Sequence, residues 1–283
     1  MLINNIAVVG AGTMGAQVSL LMAMYGYNVI LKDIDDDTLD VAKRKVEEEA
    51  RLSRMFPRQG AKADATIADR INFSTSYSGF DSVELVIENI TENWQRKQAL
   101  YKEMTPYCGP DTIYAVNTSC IPISRIAALH TQPGKVVGWH FMNPVYGKNI
   151  VEVIKSPQTS IDTLETSVDF LKTTGNRAVI VEDAPGFVSN RLSHLLMNEA
   201  ACIVQEGIAT PKDIDIIFKK GYGHAMGPLE TADLIGIDTV VNSLQVLYDS
   251  YNDPKFRSCS LLNDMVKEGK LGRKNGAGFY QYK

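Results

Sequence analysis

The chain has 283 residues, of which 45% are hydrophobic and 22% are charged, an ordinary composition for a globular protein with a substantial core. Its formal net charge of -4 gives no electrostatic reason to expect nucleic acid or an anionic membrane as a partner. The four cysteines lie far apart without a C-x-x-C pair, which argues against a zinc site or a disulfide framework and favours a reducing compartment. Because a strand-like segment follows Met1 almost directly and no apolar run approaches about 20 residues, we expect neither secretion nor a membrane span, and predict a cytoplasmic protein.

The first two thirds of the chain alternate short apolar runs with helical segments, the pattern of a parallel sheet covered by helices. Helical periodicity is clearest in Asp37–Ser53 and Trp94–Met104. The predicted strands are Ile6–Val9, Asn28–Lys32, Ile71–Ser74, Leu85–Glu88, Ile113–Val116, Val136–Phe141, Val151–Ile154 and Arg177–Val181.

The segment Asp183-Ala184-Pro185-Gly186 interrupts this alternation with turn-forming residues. Beyond it, apolar residues recur at helical spacing in 190–207, 211–219, 227–250 and 257–268. The sequence therefore predicts an α/β fold, with a Rossmann-type doubly wound sheet over residues 1–185 and a smaller all-helical domain over residues 186–283.

A glycine-rich turn follows the first predicted strand. Gly10, Gly12 and Gly15 fit the pattern G-x-G-x-x-G and open an apolar helix, the context in which this pattern binds a dinucleotide. The first glycine permits a tight turn, the second lets the backbone approach a diphosphate, and the third lets helix pack on strand. We include Thr13 and Met14, which lie within the motif, among the predicted cofactor-binding residues.

Asp33 ends the second predicted strand, where a carboxylate accepts hydrogen bonds from an adenosine ribose and repels a 2′-phosphate. This position favours NAD over NADP as the cofactor. FAD uses the same glycine pattern, so a flavin oxidoreductase is the alternative within the enzyme class.

His140 lies at the carboxyl end of a predicted strand, the edge at which open α/β sheets bind ligands. In the next strand, Glu152 alternates with valines and falls on the face of Ile150 and Ile154. A half-buried carboxylate requires a cation or hydrogen-bond donors. We expect the loop between the two strands to return Glu152 beside His140, where it holds one imidazole nitrogen while the other faces the substrate. Ser119 and Asn190, each of which follows a strand and a turn, are candidate donors to a substrate oxygen, although such residues more often cap helices.

Motifs along nearly the whole chain resemble those of the 3-hydroxyacyl-CoA dehydrogenase family, particularly its short bacterial 3-hydroxybutyryl-CoA dehydrogenases. The motifs are GAGTMG, ENITENWQRK, NTSC, HFMNP with VEVI, EDAPGFVSNR, MGPLETADLIGID and LGRKNGAGFYQYK.

The resemblance implies roles for individual residues. His140 is similar to the family's catalytic histidine and Glu152 to its paired carboxylate. Residues implied around the substrate oxygens and the nicotinamide are Ser119, Asn143 and Asn190, and further cofactor contacts implied are Glu92, Lys97, Asn117 and Lys274. The reaction implied is the NAD-dependent interconversion of a 3-hydroxyacyl thioester and its 3-keto form, without a metal, in a homodimer formed through the helical domain.

Two segments depart from the family pattern. After HFMNP the chain reads Val145-Tyr146-Gly147-Lys148-Asn149 in place of a Pro-Val-Met-Lys stretch. Where family members that bind coenzyme A have Ser and Lys, this chain has Glu49 and Phe56. Nearby basic residues can still bind the nucleotide of the substrate, and these are Arg51, Arg54, Arg58 and Lys62. The acyl carrier is therefore either coenzyme A or an acyl carrier protein, and the non-enzymatic alternative is an inert NAD-binding structural protein.

Overall fold

The computed structural model describes residues 3–61, 67–119 and 121–282. The chain divides into two compact units, Met1–Ala184 and Pro185–Lys283, one residue before the boundary predicted from the sequence. The first unit is an α/β unit and the second is helical, so the predicted fold class is confirmed.

The first unit contains one eight-stranded sheet with the order β3-β2-β1-β4-β5-β6-β7-β8. Its strands are β1 (Asn5–Val9), β2 (Asn28–Lys32), β3 (Ile71–Ser74), β4 (Leu85–Glu88), β5 (Ile113–Val116), β6 (Val136–Phe141), β7 (Ile150–Lys155) and β8 (Arg177–Glu182). All neighbouring strands are parallel except β6 and β7, which pair antiparallel. The strand order reverses between β1 and β4, which creates the crevice where doubly wound sheets bind ligands.

The helices of the first unit are α1 (Thr13–Met24), α2 (Asp36–Ser53), α3 (Trp94–Met104), α4 (Ile123–Ala127) and α5 (Ile161–Thr173). Strands β4, β5 and β6 are buried along their whole length, as expected for strands covered on both faces. Helix α1 is mostly apolar and is buried from Gly15 to Met24. Gly15 is required there, because an added Cβ would lie 1.8 Å from the carbonyl oxygen of Gly10.

The second unit comprises α6 (Ser189–Gln205), α7 (Pro211–Ile216), α8 (Pro228–Ile235), α9 (Ile237–Tyr251) and α10 (Ser260–Lys267). The prediction of one helical segment over 227–250 is wrong in one respect, because Gly236 separates α8 from α9. Its φ of 105° is accessible to glycine and strained for other residues. After α7 the chain continues as a π-helical turn, Ile217–Gly221.

Two buried aspartates fasten the last residues of the second unit. Asp233 accepts hydrogen bonds from the backbone N–H groups of Phe279 (2.9 Å) and Tyr280 (3.0 Å). Asp215 accepts one from the Tyr280 hydroxyl at 2.7 Å. Gly278 lies directly against Asp233, since an added Cβ would come within 2.0 Å of its carboxylate oxygen. The C-terminal segment is thus held by side chains.

Helices in the described part of the chain are all too short or too polar to cross a bilayer.

Acidification is expected to destabilise the first unit through His130. This side chain is 8% exposed and packs against the rings of Tyr101 and Tyr114. Its burial lowers the pKa to about 4, against 6.5 for an unburied imidazole. Because the unfolded chain takes up the proton first, the contribution of neutral His130 to stability is complete above about pH 6.5 and is lost as the pH falls towards 4. Between pH 7 and 5 we expect a loss of about 2 kcal/mol from this residue.

The measurement is urea unfolding of the wild type and of a His130→Leu variant at both pH values. The variant should lose about 2 kcal/mol less on acidification than the wild type. An equal loss in the two proteins would show that His130 is not the titrating group. A His224→Leu variant, altered at an exposed histidine, is the control.

Candidate active site

The glycine-rich turn between β1 and α1 forms an open cradle. Gly10 has a φ of 100°, and an added Cβ would meet the backbone of Asn89 at 2.7 Å. At Gly12, by contrast, an added Cβ would have no neighbour within 4 Å among the described atoms, so the space beside this backbone is open. Thr13 is exposed and Met14 half-buried. The turn therefore fits a diphosphate approaching the backbone at the N-terminus of α1.

Asp33 closes one side of this cradle. One carboxylate oxygen accepts the backbone N–H of Ala11 at 2.5 Å, and the other accepts that of Ile34 at 2.7 Å. The preceding Lys32 is buried, with its amine 4.5 Å from the ring centroid of Tyr77. The group beside the cradle is consequently the carboxylate, as NAD recognition requires.

Replacement of Asp33 by serine is expected to reduce the preference for NADH over NADPH. The change removes the charge that repels a 2′-phosphate and the acceptor of the ribose hydroxyls. The measurement is kcat/KM for each cofactor with both proteins. A wild type that uses NADPH as efficiently as NADH would contradict the role given to Asp33, and an Asp36→Ser variant on α2 controls for loss of a nearby exposed charge.

His140 and Glu152 lie side by side in adjacent strands. Their Cα atoms are direct partners in the antiparallel register of β6 and β7. Nδ1 of His140 lies 2.8 Å from a carboxylate oxygen of Glu152, and the two residues are 8% and 5% exposed. The carboxylate can hold one imidazole nitrogen and can offset the positive charge that forms when the other nitrogen takes up a proton during a reaction. The pair can therefore accept and return one proton.

The loop after β5 presents Ser119 and is organised by Glu92. One carboxylate oxygen of Glu92 accepts the Thr118 hydroxyl at 2.6 Å and the backbone N–H groups of Ser119 and Ile121 at 3.2 and 3.1 Å. Asn117 joins this loop to two strand ends, because its amide donates to Asn89 at 2.7 Å and accepts from the Phe141 N–H at 3.4 Å. Glu92, Asn117 and Ser119, all predicted from the sequence, thus belong to one connected edge of the sheet.

Lys97 lies in the interior of the first unit. It is fully buried, and its Nζ donates to both oxygens of Glu88 at 2.7 and 2.6 Å. Glu88 also accepts the backbone N–H of Ile90 at 2.7 Å. Burial raises the pKa of Glu88, and the ammonium of Lys97 opposes that rise. The observed partner of Lys97 is this carboxylate beneath the crevice, and direct contact with a cofactor stays a prediction.

The loop joining β6 to β7 is fixed to α1 and α2. The Val145 N–H donates to Gln17 at 2.8 Å, and Gln17 donates in turn to Glu49 at 2.9 Å. Glu49, one of the two departures from the family pattern, is thereby turned inward and is 8% exposed. Gln17 was not among the residues predicted from the sequence, although a polar residue inside a mostly apolar helix indicates a buried hydrogen-bond partner. Asn143 is exposed on this loop.

Arg58 is similarly engaged within the fold. Its guanidinium donates to the carbonyl oxygens of Val145, Lys148, Thr174 and Gly175 and to the side chain of Asn176, at 2.7 to 3.1 Å. The expectation that Arg58 is available to bind a nucleotide is therefore wrong, because its donors hold two loops together. Arg51 and Arg54 are exposed on and just after α2, and Lys62 lies outside the described residues.

The remaining predicted residues belong to the second unit. Asn190 is the second residue of α6. Lys274 lies in a short turn near the C-terminus and forms an ion pair with Asp238 at the start of α9. Their roles toward cofactor and substrate stay predictions.

A doubly wound sheet, a glycine cradle bordered by a carboxylate, and a histidine–carboxylate pair at the same edge define a dinucleotide-dependent oxidoreductase. The chain belongs to the 3-hydroxyacyl-CoA dehydrogenase family. Residues 5–184 match the family model "3-hydroxyacyl-CoA dehydrogenase, NAD binding domain", and residues 186–282 match "3-hydroxyacyl-CoA dehydrogenase, C-terminal domain". The resemblance stated from the motifs is confirmed, and the cofactor is NAD and not a flavin.

Individual relatives agree with this assignment. The chain is 40% identical over 277 residues to a probable 3-hydroxybutyryl-CoA dehydrogenase of Deinococcus radiodurans, covering 97% of this chain and 99% of the relative. It is 38% identical to a mitochondrial hydroxyacyl-coenzyme A dehydrogenase of Sus scrofa, covering 100% and 92%. The crystal structure of (S)-3-hydroxybutyryl-CoA dehydrogenase from Ralstonia eutropha has a TM-score of 0.92 at 37% identity, with both chains covered completely. The chain is thus an NAD-dependent oxidoreductase of the 3-hydroxyacyl-CoA dehydrogenase type.

Proposed function

We propose that this enzyme acts on a short 3-hydroxyacyl-CoA such as 3-hydroxybutyryl-CoA, with His140 as the general acid/base. The observation that carries the proposal is the 2.8 Å contact between Nδ1 of His140 and Glu152 at the carboxyl end of β6. The short acyl group is supported by the printed names of the relatives from Deinococcus radiodurans and Ralstonia eutropha.

The proposed reaction combines hydride transfer to the cofactor with proton transfer to His140. Bound NAD supplies the hydride acceptor in the oxidation direction. His140 removes the proton of the 3-hydroxyl group, and we assign this transfer to Nε2 because Nδ1 is held by Glu152. Glu152 then stabilises the imidazolium, and in the reduction direction His140 returns the proton to the 3-keto oxygen. General acid/base assistance of this kind contributes about 10²- to 10⁴-fold to the rate.

Polar residues implied by the family resemblance orient the substrate in this proposal. Ser119 contacts the reacting oxygen, and its backbone is fixed through Glu92. Asn143 and Asn190 hold the thioester carbonyl and the nicotinamide amide. Positioning by such groups converts a bimolecular encounter into an oriented reaction, which accounts for a large share of enzymatic acceleration.

Coenzyme A is the proposed carrier of the acyl group. Arg51 and Arg54 are exposed and cationic, which suits its anionic nucleotide, and the inward turn of Glu49 removes one negative charge from that surface. An acyl carrier protein is the second candidate, supported by Met55 and Phe56, which are 73% and 43% exposed beside the same arginines. An acidic carrier helix would complement this patch.

The test compares acetoacetyl-CoA with acetoacetyl groups on a cognate carrier protein, both reduced with NADH. We expect kcat/KM to be higher with acetoacetyl-CoA. Turnover of the carrier-bound substrate at least about tenfold more efficient would overturn the choice of coenzyme A. An Arg51→Gln, Arg54→Gln double variant should raise KM for acetoacetyl-CoA while kcat changes little, because exposed cations that bind the nucleotide equally in the ground state and the transition state contribute uniform binding.

A homodimer formed through the second unit is also proposed. The support is a set of large apolar side chains that this unit exposes, including Leu192 (63%), Ile208 (69%) and Tyr222 (73%). Sedimentation velocity should give the mass of two chains, and a single-chain mass would contradict the proposal.

A cytoplasmic location likewise stays a prediction, supported by free thiols at Cys108, Cys202 and Cys259.

A further inference from the structure

One lysine of α2 reaches the glycine cradle. The Nζ of Lys45 donates a hydrogen bond to the Thr13 hydroxyl at 2.7 Å, although the two residues are 32 positions apart. Thr13 is the first residue of α1 and lies within the glycine-rich turn. A lysine ammonium carries three donors, so this bond engages one of them. Lys45 itself is half-buried, which limits the volume its side chain can sample.

The helix end beside this ammonium has no carboxylate of its own. Helix α1 begins after Gly12, which provides no side-chain cap, and the first turn of α1 contains no acidic residue. The positive end of the helix dipole is therefore not offset from within α1, and the carboxylate beside it is that of Asp33, which accepts the Ala11 N–H. Within the described residues Lys45 forms no ion pair with a carboxylate, whereas Glu49, one turn further along α2, is bonded to Gln17. A cation placed at a helix N-terminus is unfavourable by itself.

An anion bound at the cradle would make the position of the Lys45 ammonium favourable. The space beside Gly12 is open, and the unpaired N–H groups of the first helical turn, together with the ammonium, all favour negative charge. We propose that Lys45 binds the diphosphate of NAD, reaching it from α2 over the Thr13 side chain. The glycine motif by itself predicts only backbone contacts to that diphosphate, so Lys45 is a cofactor-binding residue that the motif does not contain.

The test measures NADH dissociation constants by fluorescence titration for the wild type, Lys45→Gln and Lys45→Arg. Loss of a charge-assisted bond should raise the Kd of Lys45→Gln about tenfold, while the arginine variant retains most of the affinity. The matched control is Lys43→Gln, which removes the same charge from an exposed position on the same helix. Its Kd should stay within about twofold of the wild type, and the difference between the two glutamine variants should shrink as salt screens the charges.

Ligand fragments locate the contact. Lys45→Gln should weaken ADP-ribose, which carries the diphosphate, by the same factor as NADH, and should leave adenosine binding unchanged. Equal losses for ADP-ribose and adenosine would overturn the proposal, as would an equal rise in Kd for the Lys43→Gln variant. Thermal melting of each variant without ligand separates a binding defect from misfolding, and the Lys45→Arg variant remains informative if Lys45→Gln fails to fold.

Coenzyme A also contains a diphosphate, so a second experiment distinguishes binding of the NAD diphosphate from binding of the coenzyme A diphosphate. It compares KM for acetoacetyl-CoA with KM for acetoacetyl-pantetheine at saturating NADH. If Lys45 binds NAD, the Kd for NADH changes and the ratio of the two KM values does not. An unchanged Kd for NADH together with a raised KM for acetoacetyl-CoA alone would assign Lys45 to the substrate and overturn the proposal.

Discussion

Replacement of His140 by glutamine is expected to lower kcat by about 10²-fold or more, with NADH binding nearly unchanged. Glutamine is close to histidine in polarity, but its amide cannot take up the proton of the 3-hydroxyl group. The Kd for NADH depends on the cradle at Gly10–Gly15 and on Asp33, which are built from other strands. The measurement is steady-state reduction of acetoacetyl-CoA together with a fluorescence titration of NADH.

A Glu152→Gln variant should also lose activity, because it keeps a hydrogen-bond acceptor beside Nδ1 and removes the charge that stabilises the imidazolium. If the two residues act as one unit, the double variant should be no slower than His140→Gln alone. A His224→Gln variant, changed at an exposed histidine of the second unit, provides the control. Retention of most of the wild-type kcat by His140→Gln would remove this residue from the mechanism.

Replacement of Lys97 by methionine is expected to destabilise the protein by about 3 to 5 kcal/mol. Glu88 and Lys97 are both 0% exposed, so the variant leaves a buried carboxylate without its counter-ion. The ionised carboxylate of Glu88 cannot be rehydrated in the interior. If it became protonated instead, it would accept the Ile90 N–H less strongly. Urea unfolding in the absence of NADH measures the free energy directly.

The companion variants decide the cause of that loss. Adding Glu88→Gln to Lys97→Met should recover much of the stability, because a neutral amide still accepts the Ile90 N–H and carries no charge to be compensated. Lys102→Met, at an exposed position of the same helix, should change stability by less than about 0.5 kcal/mol. A double variant no more stable than Lys97→Met would mean that packing, and not charge, explains the effect. The Kd of Lys97→Met for NADH also tests the cofactor contact implied by the family resemblance.

The local features of this enzyme followed from its sequence. The β1 strand, the glycine turn and α1 were predicted correctly because strand, turn and helix signals lie within 20 residues of one another and depend on backbone sterics and side-chain periodicity. The sequence predicted Glu152 on a partly buried face shared with Ile150 and Ile154. In the structure β7 is buried from Val151 to Ile154 without alternation and Ile150 is 40% exposed, because the strand pairs on both sides within the sheet. The loop between β6 and β7 was short enough to predict the return beside His140. The family motifs then supplied the roles of residues such as Ser119, which no local pattern specifies.

Only the tertiary structure decided which partners the other charged side chains have. The sequence offered Arg58 and Lys97 as ligand-binding groups, yet Arg58 bonds to loops about 90 to 120 residues away and Lys97 to a carboxylate under the crevice. Lys45 was one of many charged residues on α2 until folding placed it at Thr13. Side-chain periodicity predicts which face of an element is buried. The partner of a charged group, however, depends on which distant elements pack within about 3 Å of it, and a single sequence does not specify that distance.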